Sequence, residues 1–432
     1  MAALLPSETT VCIVGAGPSG LACALGLALR GVPFVIVDAL EAGHNSSRAV
    51  VMQANALEAL EAINPALAAA IVADGVAAET ISMINVHEKT IFDMRMSENA
   101  SRTKYGYCLL IGQHRVEERM REWLGQAGVE IAWRKRVTAV REDGSNYELA
   151  FESGETLRAR YIVAADGSKS SLRQFAGIQF LNPYTKTEAI PRPGDPSFVV
   201  ADVIFQEPLP PNVPRDRLQM MVGGGGVVLT APMLSPTSNA LFRLYLGVPA
   251  NPPSHPDAAY LQAVLDKRGP GSHSKAYPVP KIVSVLDSSR YLTRPALAER
   301  YVHRAPGGAY LLLVGDAAHK HGPTAGQGMN MGIVDGAELA GALASHIAQS
   351  GEKPGSADPA HILDAYSTRR RNVARQVIDM VETMGRVEGS GAGWTSSLRA
   401  AALWLLLKVS FVNSAISWKI GGLGHSAQML GK

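Results

Sequence analysis

The stretch VCIVGAGPSGLACALGLALRGVPFVIVD, from Val11 to Asp38, decides the fold. Its two ends are rich in Val and Ile and its middle in Ala, Leu and Gly, so the periodicity switches from strand to helix and back. Gly15, Gly17 and Gly20 stand as G-x-G-x-x-G between the first strand and the helix. Glycines at that spacing let the backbone approach a pyrophosphate resting on the helix N-terminus. Gly31 follows Arg30 as a helix stop, and Asp38 ends the second strand, where a carboxylate accepts hydrogen bonds from ribose hydroxyls. A lone G-x-G-x-x-G is a weak signal. Here strand, helix, second strand and acid occur in order, which makes a dinucleotide-binding unit. The unit does not separate FAD from NAD, because the same geometry serves both.

Outward from this unit, the predicted fold is α/β. Beyond Ser47, AVVMQANALEALEAI reads as a helix with Leu57, Leu60 and Ile63 on one face. Gly112 to Gly128 reads as a charged amphipathic helix bounded by glycines. EIAWRKRVTAVRE, YELAF and ETLRARYIVAAD, separated by turn signals, predict a β-meander running into a buried strand. Pro- and Gly-rich stretches at Asn182 to Pro196 and Asn251 to Pro280 bracket strand candidates at Phe198 to Phe205, Leu218 to Met233 and Ala240 to Val248. AYLLLVGD, ending at Asp316, is an apolar strand of the buried type. A helix-rich tail begins at Pro359. We therefore expect a Rossmann-like cofactor domain with a β-meander from 1–80, 104–181 and 299–350, a mixed-sheet substrate domain from 81–103 and 182–298, and a helical C-terminal region at 351–432. A chain of 432 residues needs more than one such unit.

Composition narrows the partners. Hydrophobic residues make up 47% and charged residues 18%, ordinary for a globular chain. The formal charge of +3 comes without a Lys/Arg run or basic stripe, so nucleic acid is not an expected partner. Cys12, Cys23 and Cys108 lack C-x-x-C spacing, and Met1 to Thr10 has no secretory signal pattern, so reduced thiols and a cytoplasmic location are expected. Ala400 to Leu407 is apolar but far shorter than the roughly twenty residues that span a bilayer. No stable transmembrane segment is expected.

Two further strings, YIVAADGSKSSLR (Tyr161 to Arg173) and YLLLVGDAAHKHGPTAGQGMNMGIVDGAELAGALA (Tyr310 to Ala344), resemble motifs of the para-hydroxybenzoate-hydroxylase-like flavoprotein monooxygenases. SFVNSAISWKIGGLG near the C-terminus is similar to the end of the FAD-bearing portion in phenol-hydroxylase relatives. The resemblance implies bound FAD, transient NADPH or NADH, oxygen, and hydroxylation of an aromatic small molecule through a flavin C4a-hydroperoxide. It assigns Gly315 and Asp316 to the ribitol, Asp166 and Gly167 to FAD and NADPH handling, and Arg48 and Gln113 to the cofactor. Pro323, Gly326, Gln327 and Gly328 become the flavin-edge loop, with Thr324 beside Pro323, and the backbone through Met329 and Asn330 faces the pyrimidine ring. Negative charge on a reduced flavin is stabilised there by N–H groups at a helix start. Taken singly, Asp166-Gly167 reads as a turn and Arg48 as a surface charge; the order of the motifs assigns them. Ala325 stands where the family often has glycine.

The substrate block carries Met220, Met221, Phe242 and Tyr245, residue types that suit an adaptable apolar pocket, although core packing explains any one of them equally. Tyr245, Arg217, Arg243 and His87 are the polar candidates there. His319 reads as a structural hydrogen-bonder. The scattered histidines form no metal set. No second nucleotide unit follows Asp38, and Gly223 to Gly226 reads as a turn between strands. Epoxidation, Baeyer–Villiger oxidation, indole oxidation and a non-catalytic FAD scaffold share these motifs. The absence of a W-x-W string argues against a halogenase, and that of paired cysteines against a disulfide reductase. The expected partner is a small aromatic or conjugated molecule, and the expected state a monomer or homodimer.

Overall fold

The computed structural model describes residues 5–43, 49–188, 197–223, 225–248, 251–292, 294–323, 326–350, 359–389 and 410–424. Arg48, Thr324, Ala325 and the apolar segment Ala400 to Leu407 lie outside them. An eight-stranded sheet is centred on strand Glu8–Val14, flanked in parallel by Phe34–Val37 on one side and Thr156–Ala164 on the other. Tyr310–Leu313 extends it in parallel, and the antiparallel strands Val137–Asp143 and Asn146–Phe151 form the expected meander with Thr156–Ala164. The central strands are buried on both faces, as their unbroken Val, Ile and Leu content requires. Helices Pro18–Leu29 and Gly328–Ser350 pack against each other through small residues. A Cβ on Gly336 would lie 2.2 Å from the Ser19 carbonyl oxygen, so this close approach needs glycine.

A second, seven-stranded mixed sheet takes Thr80–Asn85 and Thr90–Arg95 from one part of the chain and five strands between Ser197 and Leu292 from another. Strand Ile282–Leu292 forms its edge against Ser197–Phe205. Helix Ala258–Arg268 places Leu261 and Leu265 in the core behind this sheet. Neither element was expected, because the helix falls inside a Pro- and Gly-rich stretch and the edge strand is polar. Two other readings change. Val51–Met52 is a strand and the helix begins only at Ala54. The run from Glu130 to Glu142 splits, with Ile131–Ala132 joining the parallel sheet and Val137–Asp143 the meander.

The helix Ser410–Ile420 docks beside Thr90–Arg95. Asn413 accepts from the Arg95 amide at 3.1 Å and donates to the Asp93 carbonyl at 3.0 Å, and Arg102 stacks 3.7 Å over the Trp418 ring. No helix among the described residues is long and apolar enough to cross a membrane. Cys12, Cys23 and Cys108 are buried thiols, each pushed up to about 12 by burial and therefore unreactive.

Candidate cofactor and substrate site

Parallel register brings the motifs together. Val14 pairs with Val37 and Ala164, and Ala164 with Leu313, so the residues that follow each strand emerge at one carboxyl edge of the sheet. Those residues are Gly15, Asp38, Ala165 to Gly167, and Gly315 with Asp316. Ligands bind at such an edge in open α/β sheets. Here Gly15, Asp38, Ala165 to Gly167 and Asp316 line a cavity of about 770 Å³.

The three glycines have different physical reasons. Gly15 sits at φ +110°, and a Cβ there would lie 2.2 Å from the Ala165 carbonyl oxygen. A Cβ on Gly20 would lie 1.9 Å from the Gly15 carbonyl oxygen, so both serve internal packing. Gly17 would meet nothing within 4 Å. It caps helix Pro18–Leu29 with no side-chain hydrogen bond, leaving the helix N-terminus facing the cavity. Asp38 accepts from the Ala16 amide at 2.7 Å and the Leu40 amide at 2.8 Å, which fixes its carboxylate at the cavity wall.

Asp316 is exposed to the cavity on a short 3₁₀ turn, Gly315–Ala317. Behind that turn, Asp335 is fully buried and accepts from His319 Nε2 at 2.6 Å, Arg370 Nε at 2.6 Å and the Gly315 amide at 3.2 Å. Burial alone would raise the Asp335 pKa, but Arg370 and His319 outweigh it and hold it at about 2. Arg173 ties the neighbouring loops by donating to the Ala317 carbonyl at 2.9 Å and the Ser168 carbonyl at 3.0 Å. Burial raises the Asp166 pKa, and one of its oxygens, Oδ1, has no hydrogen-bond partner.

Pro323, Gly326, Gln327, Gly328 and Met329 line the cavity, as does Gln113 at the start of helix Gln113–Gln126. Asn330 does not. Its Nδ2 donates to the Gly326 carbonyl at 2.7 Å and the Val51 carbonyl at 2.9 Å, and its Oδ1 accepts from the Gln53 amide at 2.7 Å. The Asn330 side chain thus clamps the loop at Gly326 to the segment Val51–Gln53 and does not line the cavity. Gln327 donates to the Ile420 carbonyl, so the C-terminal helix closes this end of the cavity.

The second sheet supplies the apolar end. Tyr245, Leu229 and Met220 sit opposite one another on adjacent strands, with Phe198, Val200, Leu218, Ile81 and Met94 on the same wall. Strand alternation sends Met221 and Phe242 to the far face, where both are buried in the core, so these two candidates do not line the cavity. Arg243 is fully buried and binds both Asp202 oxygens at 2.6 Å and the Ala49 carbonyl at 2.6 Å. It is a structural ion pair. Arg217 pairs with Asp216, and exposed His87 sits in a hairpin turn; neither lines the cavity. Burial pushes the Tyr245 phenol up to about 12, so it stays protonated. Cavity residues unforeseen from sequence include Gln53, Phe198 and Tyr291, and His321 of the Tyr310 to Ala344 string joins them. Alternation along LFRLYLGV separates Tyr245 from Phe242, but Gln53 carries no local signal.

The residues fit FAD. The cavity volume lies within the usual range for ligand sites. It joins an uncapped helix N-terminus to three aspartates, and Gln53 Oε1, Gln327 Oε1 and Asp166 Oδ1 are buried acceptors without partners. Such acceptors match the N–H and hydroxyl donors of a flavin and its ribitol. Among the described residues no His, Cys, Asp and Glu cluster could hold a metal ion.

Comparison with known proteins agrees. The family model for the FAD binding domain matches residues 8–381. Rifampicin monooxygenase from Rhodococcus hoagii is 28% identical over 392 residues, 89% of this chain and 72% of that one. The 6-methylpretetramide 4-monooxygenase of Streptomyces rimosus is 29% identical over 379 residues, 86% of this chain and 61% of that one. The crystal structure of p-nitrophenol 4-monooxygenase from Pseudomonas putida superposes with TM-score 0.77 at 22% identity, covering 97% of this chain and 99% of the other, which establishes a shared fold. The chain belongs to the FAD-binding domain family, among its phenol-hydroxylase-like flavoproteins, and FAD is its cofactor.

Proposed function

We propose that the chain is an FAD-dependent monooxygenase that uses NAD(P)H and oxygen to hydroxylate an aromatic or phenolic small molecule. One observation carries the reading: a single cavity runs from the dinucleotide edge at Gly17, Asp38 and Asp316, past the Pro323 to Met329 loop, to an apolar wall at Ile81, Phe198, Met220, Leu229 and Tyr245. A cofactor-only pocket has no use for that wall. The monooxygenase names of the sequence relatives support the same reading.

Bound FAD would supply the electron transfer and the oxygen activation. The chain's own part is position and environment. Gly17 and the helix N-terminus behind it receive phosphate, Asp38 receives ribose hydroxyls, and Asp316 receives ribitol. The amides at the start of helix Gly328–Ser350 favour negative charge on the adjacent ring edge. The apolar wall excludes water and orients an aromatic ring. We assign the cofactor domain to 1–80, 104–181 and 299–350 and the substrate domain to 81–103 and 182–298.

The test is a panel of phenols, indoles and polyketide aromatics, scored for stimulated NADPH consumption and for oxygenated product by the yellow holoprotein. Hydroxylated product from a phenol is the expected outcome. Flavin that stays bound while no panel member stimulates turnover would leave a scaffold instead.

A further inference from the structure

His321 follows the short strand His319–Lys320 and precedes Gly322 and Pro323. The residue is only 8% exposed, yet it lines the cavity. Its Nδ1 lies 2.8 Å from the Gly322 carbonyl oxygen. A carbonyl only accepts, so Nδ1 carries the hydrogen, and the neutral ring leaves Nε2 as an acceptor. That nitrogen is buried with no hydrogen-bond partner. Burial lowers the His321 pKa and His319 adds to this, while the Gly322 bond and Asp316 act the other way; the ring is neutral at neutral pH. A buried acceptor left unmet is costly, so the site is completed by a ligand donor.

The carboxylates Asp38, Asp166 and Asp316 already serve the dinucleotide edge, where charged acceptors suit sugar hydroxyls. A neutral imidazole accepts from an uncharged hydroxyl without adding a buried charge, and His321 lines the same cavity as the apolar wall of Ile81, Phe198, Met220, Leu229 and Tyr245. We infer that His321 Nε2 accepts a hydrogen bond from a hydroxyl of the aromatic substrate and thereby selects hydroxylated rings. The inference rests on the monooxygenase reading.

The FAD-loaded protein and its His321→Leu and His321→Gln variants are titrated with phenol against benzene and 2-naphthol against naphthalene, read by flavin absorbance. FAD affinity and NADPH consumption are measured alongside. The native protein should bind each hydroxylated ring about tenfold more tightly than its deoxy partner. His321→Leu should reduce that preference to within about twofold while FAD affinity is unchanged, and His321→Gln, which keeps an acceptor oxygen, should restore most of it. A preference that persists in His321→Leu overturns the inference. So does a loss of FAD in that variant with the preference intact, which would assign the acceptor to a cofactor hydroxyl. A native protein without the preference overturns it too, and NADPH-coupled oxidation of either ring then leaves the monooxygenase reading standing. Preference without any turnover would remove the monooxygenase reading and keep the hydroxyl contact.

Discussion

A buried arginine–aspartate pair stands beside each end of the cavity, and the two pairs do different jobs. Arg370 and Asp335 lie on two packed helices and fix a backbone amide, that of Gly315, beside Asp316. Arg243 and Asp202 lie on the mixed sheet and fix a backbone carbonyl, that of Ala49, against the apolar wall. The cofactor end is built from backbone groups held in exact places, the substrate end from side chains on a flat sheet face. Backbone placement leaves glycine and aspartate signatures in the sequence; side-chain lining leaves only the alternation of its strands.

The sharpest contrast at the cofactor end is between Gly15 and Gly17. Gly15→Ala meets both a positive φ and a 2.2 Å contact, so flavin binding should fall by about a hundredfold or more, with loss of thermal stability. Gly17→Ala meets nothing within 4 Å and should keep its melting temperature while still weakening FAD, because the added methyl enters the space kept for phosphate. Differential scanning fluorimetry with FAD titration separates the two. Equal melting losses would show that Gly17 is merely packed.

Breaking the buried pairs comes next. Arg370→Met and Arg243→Met should each cost about 3–5 kcal/mol in denaturant unfolding, by leaving a buried carboxylate uncompensated. Only the first should also weaken FAD strongly. The pair at Asp335 carries a pH signature as well. Its pKa is held at about 2, below the ordinary 3.8, so its contribution is complete above about pH 4 and is lost as pH falls from about 4 to about 2. In Arg370→Met the acid-unfolding midpoint should move to higher pH; an unmoved midpoint would show that Arg370 does not hold that carboxylate charged.

A smaller effect is expected at Asp316, which is exposed on the cavity wall rather than buried. Charge-assisted hydrogen bonds are worth about 1.5–3 kcal/mol, so Asp316→Ala should weaken FAD by about tenfold or more without destabilising the apoprotein. Unchanged flavin affinity would move the ribitol contact elsewhere.

The same contrast explains what was legible. Gly15 and Gly20 are readable because each answers a local backbone demand, Asp38 from its place at the end of the second strand, and Gly315-Asp316 only through the resemblance of its string. Met221 and Phe242 were misplaced because residue type says nothing of sheet face. The alternation of LFRLYLGV held that information, since Phe242, Leu244 and Leu246 share the core side and Arg243 and Tyr245 the other. Helix Ala258–Arg268, which that core side packs on, lies within the Pro- and Gly-rich stretch from Asn251 to Pro280, whose composition hides it. Gln53 enters the cavity through long-range packing, whereas His321 stands within the Gly315 to Asn330 string and only its unmet nitrogen has no sequence signal.

With flavin and aromatic ring in one cavity, the proposed reaction passes one oxygen atom from O2 to the ring. The most direct measurement is the mass of the product formed by the holoprotein with NADPH and a phenol that stimulates turnover, under isotopically heavy O2 and then in isotopically heavy water. One heavy oxygen atom in the product from O2, and none from water, is the predicted result. NADPH consumption that yields only hydrogen peroxide, or product oxygen drawn from water, with every phenol of the panel would contradict it.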